Sequence, residues 1–131
     1  MTDSCALKLL VAEDDKNFGR VLKSELEDEG YAVDLFPDGV EAVLSFIDNK
    51  GEYDFAVIDI KMPKLGGIGA LRILRKLKSD LPAITISGNA GSDEAAESVR
   101  AGAIRCLTKP FEISILKNDI RRCRSGRMQN G

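Results

Sequence analysis

Short runs of nearly continuous apolar residues alternate five times along this chain with longer stretches in which apolar residues recur every three or four positions. Leu7-Lys8-Leu9-Leu10-Val11-Ala12 opens the series and predicts a strand covered on both faces. Phe18, Val21, Leu22 and Leu26 then fall on one face of a helix that Gly30 ends. Ala32 to Phe36 predicts a second strand. After the Pro37-Asp38-Gly39 turn, Val40, Val43, Leu44 and Ile47 mark a second helix that stops near Gly51. Phe55 to Ile58 and the stripe Ala70, Ile73, Leu74, Leu77 form the third pair. Ala83 to Ile86 is the fourth strand, and a helix from about Ser92 or Asp93 to Arg100 follows with little apolar anchorage besides Ala95, Ala96 and Val99. Arg105 to Thr108 and the stripe Ile113, Leu116, Ile120, Cys123 complete the series, with Lys117, Arg121 and Arg124 lying off the stripe.

Connections this short between strands and helices require crossovers joining parallel strands, and right-handed crossovers place helices on both faces. The predicted fold class is therefore α/β, a doubly wound five-stranded parallel sheet. Ligands of such sheets bind beyond the carboxyl ends of the strands, near the switch in strand order. Residues 125–131 read as a C-terminal tail or the start of a linker, which leaves 1–124 as one domain.

Composition narrows the chemistry. At 131 residues, with 44% apolar and 31% charged, the chain is of ordinary single-domain character, which excludes collagen-like, low-complexity and wholly disordered classes. No apolar run approaches the length of a membrane span, and Met1 is followed by Thr2, Asp3 and Ser4 rather than a basic and then apolar leader. A cytoplasmic protein without membrane contact is expected. There is no histidine, which removes His-based acid–base catalysis, His phosphorylation and His metal ligation. Cys5, Cys106 and Cys123 lack zinc or disulfide spacing and read as free thiols. From Arg100 onward there are eight Lys/Arg against two Asp/Glu, whereas the preceding residues carry eleven against nineteen. An acidic body speaks against direct nucleic-acid binding. The basic end, with Lys117, Arg121, Arg122 and Arg124, suits a helix C-terminus and a solvated face, with partner docking as the alternative.

The predicted strand ends carry the informative residues. Strand one runs into Glu13-Asp14-Asp15, strand three into Asp59, strand four into Thr85-Ile86-Ser87-Gly88 and strand five into Thr108-Lys109-Pro110. Each has an ordinary reading alone: Asp15 as a helix N-cap, Asp59 as a turn residue, Ser87 as a loop hydrogen-bonder, Lys109 as a solvated charge, Thr85 as packing. Together they gather three or four carboxylates, a hydroxyl and an ammonium on one edge. Two carboxylates ~5 Å apart repel by about 3 kcal/mol at an effective dielectric of ~20, so the cluster calls for a cation. Oxygen ligands on a wet edge suit Mg²⁺. With Lys109 added, the charge balance leaves room for an anion such as a phosphoryl group transferred to a carboxylate.

At these residues the sequence resembles the receiver domains of bacterial two-component response regulators, over residues 7 to about 123. The matching pieces are Leu9-Leu10-Val11-Ala12-Glu13-Asp14-Asp15, Asp59-Ile60-Lys61-Met62-Pro63 with Gly67 eight residues after Asp59, Ile86-Ser87-Gly88, and Ala101-Gly102-Ala103 ahead of Lys109-Pro110-Phe111. The resemblance implies a flavodoxin-like (βα)5 sheet of strand order 2-1-3-4-5 and a phosphoacceptor switch rather than an enzyme acting on a separate substrate. It implies Asp59 as nucleophile and phosphorylation site; Mg²⁺ held by Asp14 and Asp59, by Glu13 through a water and by the Lys61 carbonyl; Lys109 and Ser87 on the phosphoryl oxygens; and little bulk at Gly88. It also implies a cis Lys109–Pro110 bond. The implied partners are a sensor histidine kinase or histidine phosphotransfer protein as donor and an output domain or partner protein docking on the helix 4/strand 5/helix 5 surface. A homodimer formed on phosphorylation is left open.

The chain departs from the family at Cys106, where many receivers carry a Tyr or Phe that swings with the Ser/Thr. The switch is therefore expected to involve Ser87, Gly88 and a weakly held fourth helix, with little help from position 106. Lys61 reads either as a solvated charge or as a cover that hinders the hydrolytic water. An aspartate-nucleophile phosphohydrolase commonly wants an acid where Lys61 stands, and a flavodoxin-like cofactor binder wants Gly, Ser and Thr amides where Glu13-Asp14-Asp15 stand. A receiver serving as a constitutive docking module is the remaining alternative. No DNA-reading helix pair follows in this sequence, so a transcriptional output is expected to lie outside it.

Overall fold

The computed structural model describes residues 7–88 and 93–124. Cys5, Ser92 and the expected tail 125–131 lie outside the described residues. Five strands, β1 (Lys8–Ala12), β2 (Ala32–Phe36), β3 (Phe55–Asp59), β4 (Ala83–Ser87) and β5 (Arg105–Thr108), pair in parallel in the order β2-β1-β3-β4-β5. Helices α1 (Lys16–Asp28), α2 (Gly39–Asp48), α3 (Gly67–Leu77), α4 (Asp93–Arg100) and α5 (Ile113–Arg124) connect and cover them. The expected doubly wound α/β fold is observed. The chain winds outward from β1 to β2 and then in the other direction from β3 to β5, so the switch in strand order lies between the carboxyl ends of β1 and β3.

Two core layers follow from the alternation of side chains along the central strands. Leu9 and Val11 of β1 pack with Leu22 and Leu26 of α1 and Leu116 and Ile120 of α5, whereas Leu10 and Ala12 pack with Phe46 of α2 and Leu71 and Leu74 of α3. Both faces of β3 and β4 are buried, which is why those runs are continuously apolar. Helix α1 starts on Asp15, whose carboxylate accepts the amides of Asn17 and Phe18, and ends before Gly30 at φ 95°, a left-handed turn that disfavours any side chain.

The helix faces correct several expectations. Val21 is exposed on α1; Val40, Leu44 and Ile47 are exposed on α2, and the residues turned inward are Ala42, Val43 and Phe46. On α3, Leu71 is buried in place of Ile73 and Leu77. On α4, neither Ala96 nor Val99 is an anchor: both are exposed, and Ser98 is buried instead. Its hydroxyl lies 2.7 Å from Thr85 Oγ1, so Thr85 is a tether as well as a packing residue. The basic residues of α5 are not simply solvated: Lys117 reaches Glu25 and Glu29 at 3.0 and 3.4 Å, and Arg121 reaches Glu29 at 3.0 Å, binding α5 to α1.

Candidate functional site

The carboxyl ends of β1 and β3 bring Glu13, Asp14 and Asp59 together. Each offers one carboxylate oxygen, and these atoms lie within 4.8 Å of one another. Glu13 and Asp59 are buried while Asp14 is exposed, so the cluster opens to solvent on the Asp14 side. Asp15 takes no part because its side chain caps α1. From the end of β5, Lys109 points its ammonium at the acids, 3.2 Å from Glu13 Oε1 and 3.5 Å from Asp59 Oδ2. The Lys109–Pro110 bond is cis. Ser87 ends β4 nearby, buried, and its carbonyl accepts the Lys109 amide at 2.8 Å.

The other expected residues sit around this centre. The Lys61 amide donates to Asp59 Oδ1 at 3.3 Å, and Lys61, itself exposed, lines an open cleft of about 570 Å³ with Asp14, Met62, Pro63 and Glu94. A Cβ built on Gly88 meets nothing within 4 Å among the described residues. Cys106 is half-buried and pairs across the sheet with Thr85 rather than with Ser87. Two contributors carried no assigned role in the sequence. Glu94 gives no local signal, since an acid in a first helical turn is commonplace. Gly67 was legible only as part of a motif: a Cβ there would stand 2.1 Å from the Asp59 carbonyl oxygen, so glycine alone lets α3 start against the end of β3.

The electrostatics describe a site built for a cation. Burial, assisted by the neighbouring Asp59, pushes the Glu13 carboxyl up to about 7. For Lys109, burial works against the charge, but Asp59 and Glu13 outweigh it and raise the pKa of the ammonium. Glu13 Oε1 is buried without a hydrogen bond of good geometry. A buried carboxylate oxygen that has the Lys109 ion pair but no hydrogen bond, set beside two further carboxylates, fits a hard divalent ion such as Mg²⁺, whose preferred ligands are oxygens and water.

The sequence profile of the response regulator receiver domain matches residues 9–121. The chain belongs to that family. The receiver domain of the Francisella response regulator 1452 is 36% identical and superposes with a TM-score of 0.81 over 91% of this chain and 97% of that one. The receiver domain of sensor histidine kinase PA1611 from Pseudomonas aeruginosa, 29% identical with a TM-score of 0.82 over 92% and 98% of the two chains, has a magnesium ion coordinated in its active-site cleft. The transcriptional regulatory protein RprY of Bacteroides fragilis is 34% identical over 84% of this chain but only 46% of its own length. The chain thus spans about half the length of the curated regulators it matches. Receiver domains are phosphorylation switches of two-component systems that work with histidine kinases and with output or partner domains, and are not classical enzymes. Among the described residues of this receiver domain, no helix is long and apolar enough to cross a membrane.

Proposed function

We propose that this receiver domain accepts a phosphoryl group on Asp59 from a histidine kinase or histidine phosphotransfer protein and signals through the surface formed by α4, β5 and α5. The convergence of three carboxylates and one ammonium at the β1/β3 switch carries this reading. An Asp59 oxygen attacks phosphorus, the bond from phosphorus to the donor nitrogen breaks, and its electron pair leaves with that nitrogen. Lys109 faces the phosphoryl oxygens as a fixed positive charge, and the Ser87 hydroxyl, one strand over, donates to them as Ser87 shifts. Glu13, Asp14 and Asp59, with the Lys61 carbonyl, are the groups that would hold Mg²⁺. Bound there, the ion offsets the carboxylates and stabilises charge on the transferred group. The Lys61 side chain, at the mouth of the cleft, slows hydrolysis by hindering water. A Lys61→Ala variant is therefore expected to lose its phosphoryl group faster, and equal half-lives would remove that role.

The experiment is intact-mass measurement after treatment with acetyl phosphate and Mg²⁺. A gain of one phosphoryl group, absent in Asp59→Asn, is expected. No gain in the unaltered chain, or an equal gain in the variant, would overturn the proposal.

A further inference from the structure

Lys109 is held by more than its two carboxylates. Its Nζ also lies 4.7 Å from the centroid of the Phe18 ring, over the ring face, whose quadrupole attracts cations. Phe18 is in turn set against Phe111 in an edge-to-face pair, with centroids 5.8 Å apart and planes at 76°. Both rings pack on the core layer shared by α1 and α5. The Phe18 amide donates to Asp15 Oδ1 at 3.1 Å, so the cap that starts α1 also fixes where the ring begins. The ring is thus braced by a helix cap and by the residue two positions past Lys109.

An ammonium beside carboxylates alone would be poorly fixed once their charge is met by a cation, because the attraction that positions it is then largely cancelled. A neutral ring does not lose its pull in this way. We propose that Phe18 is a positioning residue for Lys109, keeping the ammonium in the mouth of the site while the carboxylates are engaged elsewhere. The proposal rests on the reading of Lys109 as the group that faces the phosphoryl oxygens.

The test compares Phe18→Leu, which keeps apolar bulk, with Phe18→Tyr, which keeps the aromatic face, in the full chain. Three quantities are measured: the NMR shift of the Lys109 ε protons, assigned with Lys109→Arg; the affinity for Mg²⁺; and the initial rate of phosphorylation by acetyl phosphate. In the unaltered chain and Phe18→Tyr, the ring should shift the ε protons upfield, and in Phe18→Leu they should return to the position of a solvated lysine. The rate should fall about three- to fivefold in Phe18→Leu and stay within about twofold in Phe18→Tyr, with Mg²⁺ affinity unchanged in both. Leu and Tyr variants that behave alike, or a rate lost in step with Mg²⁺ affinity, would overturn the positioning role. Should the unaltered chain take no phosphoryl group at all, the proposed function fails, and the Lys109 shift still decides this inference.

Discussion

Helices α3 and α4 are neighbours, joined at the surface by Arg72 and Glu97 at 3.2 Å, yet they are fastened to the sheet by different physics. Helix α3 buries Ala70, Leu71 and Leu74 completely and starts on Gly67, pressed against the Asp59 carbonyl. Helix α4 is eight residues long and buries Ser98, which is tied to Thr85 by one hydroxyl–hydroxyl hydrogen bond and back to the Ala95 carbonyl by another. Apolar burial is non-directional and cumulative, whereas a single hydrogen bond contributes about 1 kcal/mol net and vanishes with a small displacement. The acidic cluster therefore has a firm wall on the α3 side and a yielding one on the α4 side. On the proposed function, a charge added at Asp59 is expected to be read on the α4 side.

The largest expected effect breaks the firm wall. Leu74→Ala should lower unfolding free energy by about 3 kcal/mol in urea titrations, as deletions of fully buried leucines do. A loss under about 1 kcal/mol would mean that α3 is not the rigid partner. Next in size is the pH dependence set by Glu13. Its carboxyl lies at about 7 when folded against 4.5 ordinarily, so the folded chain holds that proton more tightly than the unfolded one. The stabilising contribution is full below about pH 4.5 and is lost as pH rises through about 7, by on the order of 3 kcal/mol without divalent cations. Mg²⁺ added above pH 7 should restore the loss. Chelated protein with a flat or rising stability from pH 5 to pH 7.5 would contradict this.

Smaller still is the tether. Thr85→Val keeps volume and removes the hydroxyl partner of Ser98, which should cost about 1 kcal/mol and speed amide exchange in Asp93–Arg100 while leaving Gly67–Leu77 unchanged. Equal acceleration in both helices would erase the distinction between them. Least of all, Val99→Ala should change stability by less than about 0.5 kcal/mol, because Val99 is 46% exposed and anchors nothing.

The strands and the strand-end cluster were legible in the sequence because both depend on local pattern. A strand buried on two faces is continuously apolar, and parallel topology alone sends the residues after each strand to one edge. The helix faces were less legible. Leu44, Ile47 and Leu77 are large, apolar and about half exposed, so stripes through them compete with the buried stripes through Ala42, Phe46 and Leu71. Nothing local separates the two, and small residues such as Ala42 and Ala70 win the inner face where a helix approaches the sheet closely. The Thr85–Ser98 tether and the Phe18–Lys109 contact were not legible because they join residues far apart in sequence with no compositional mark. The same holds for the α1–α5 clamp of Lys117 and Arg121, which reads along the sequence as an ordinary basic helix end.

The most direct measurement is backbone hydrogen exchange of the unaltered chain before and after phosphorylation with acetyl phosphate and Mg²⁺. Exchange should change in Asp93–Arg100 and Arg105–Thr108 and stay constant in Gly67–Leu77. A phosphorylated protein whose α4 exchanges as before, or whose α3 changes as much as α4, would contradict the division between a firm and a yielding side.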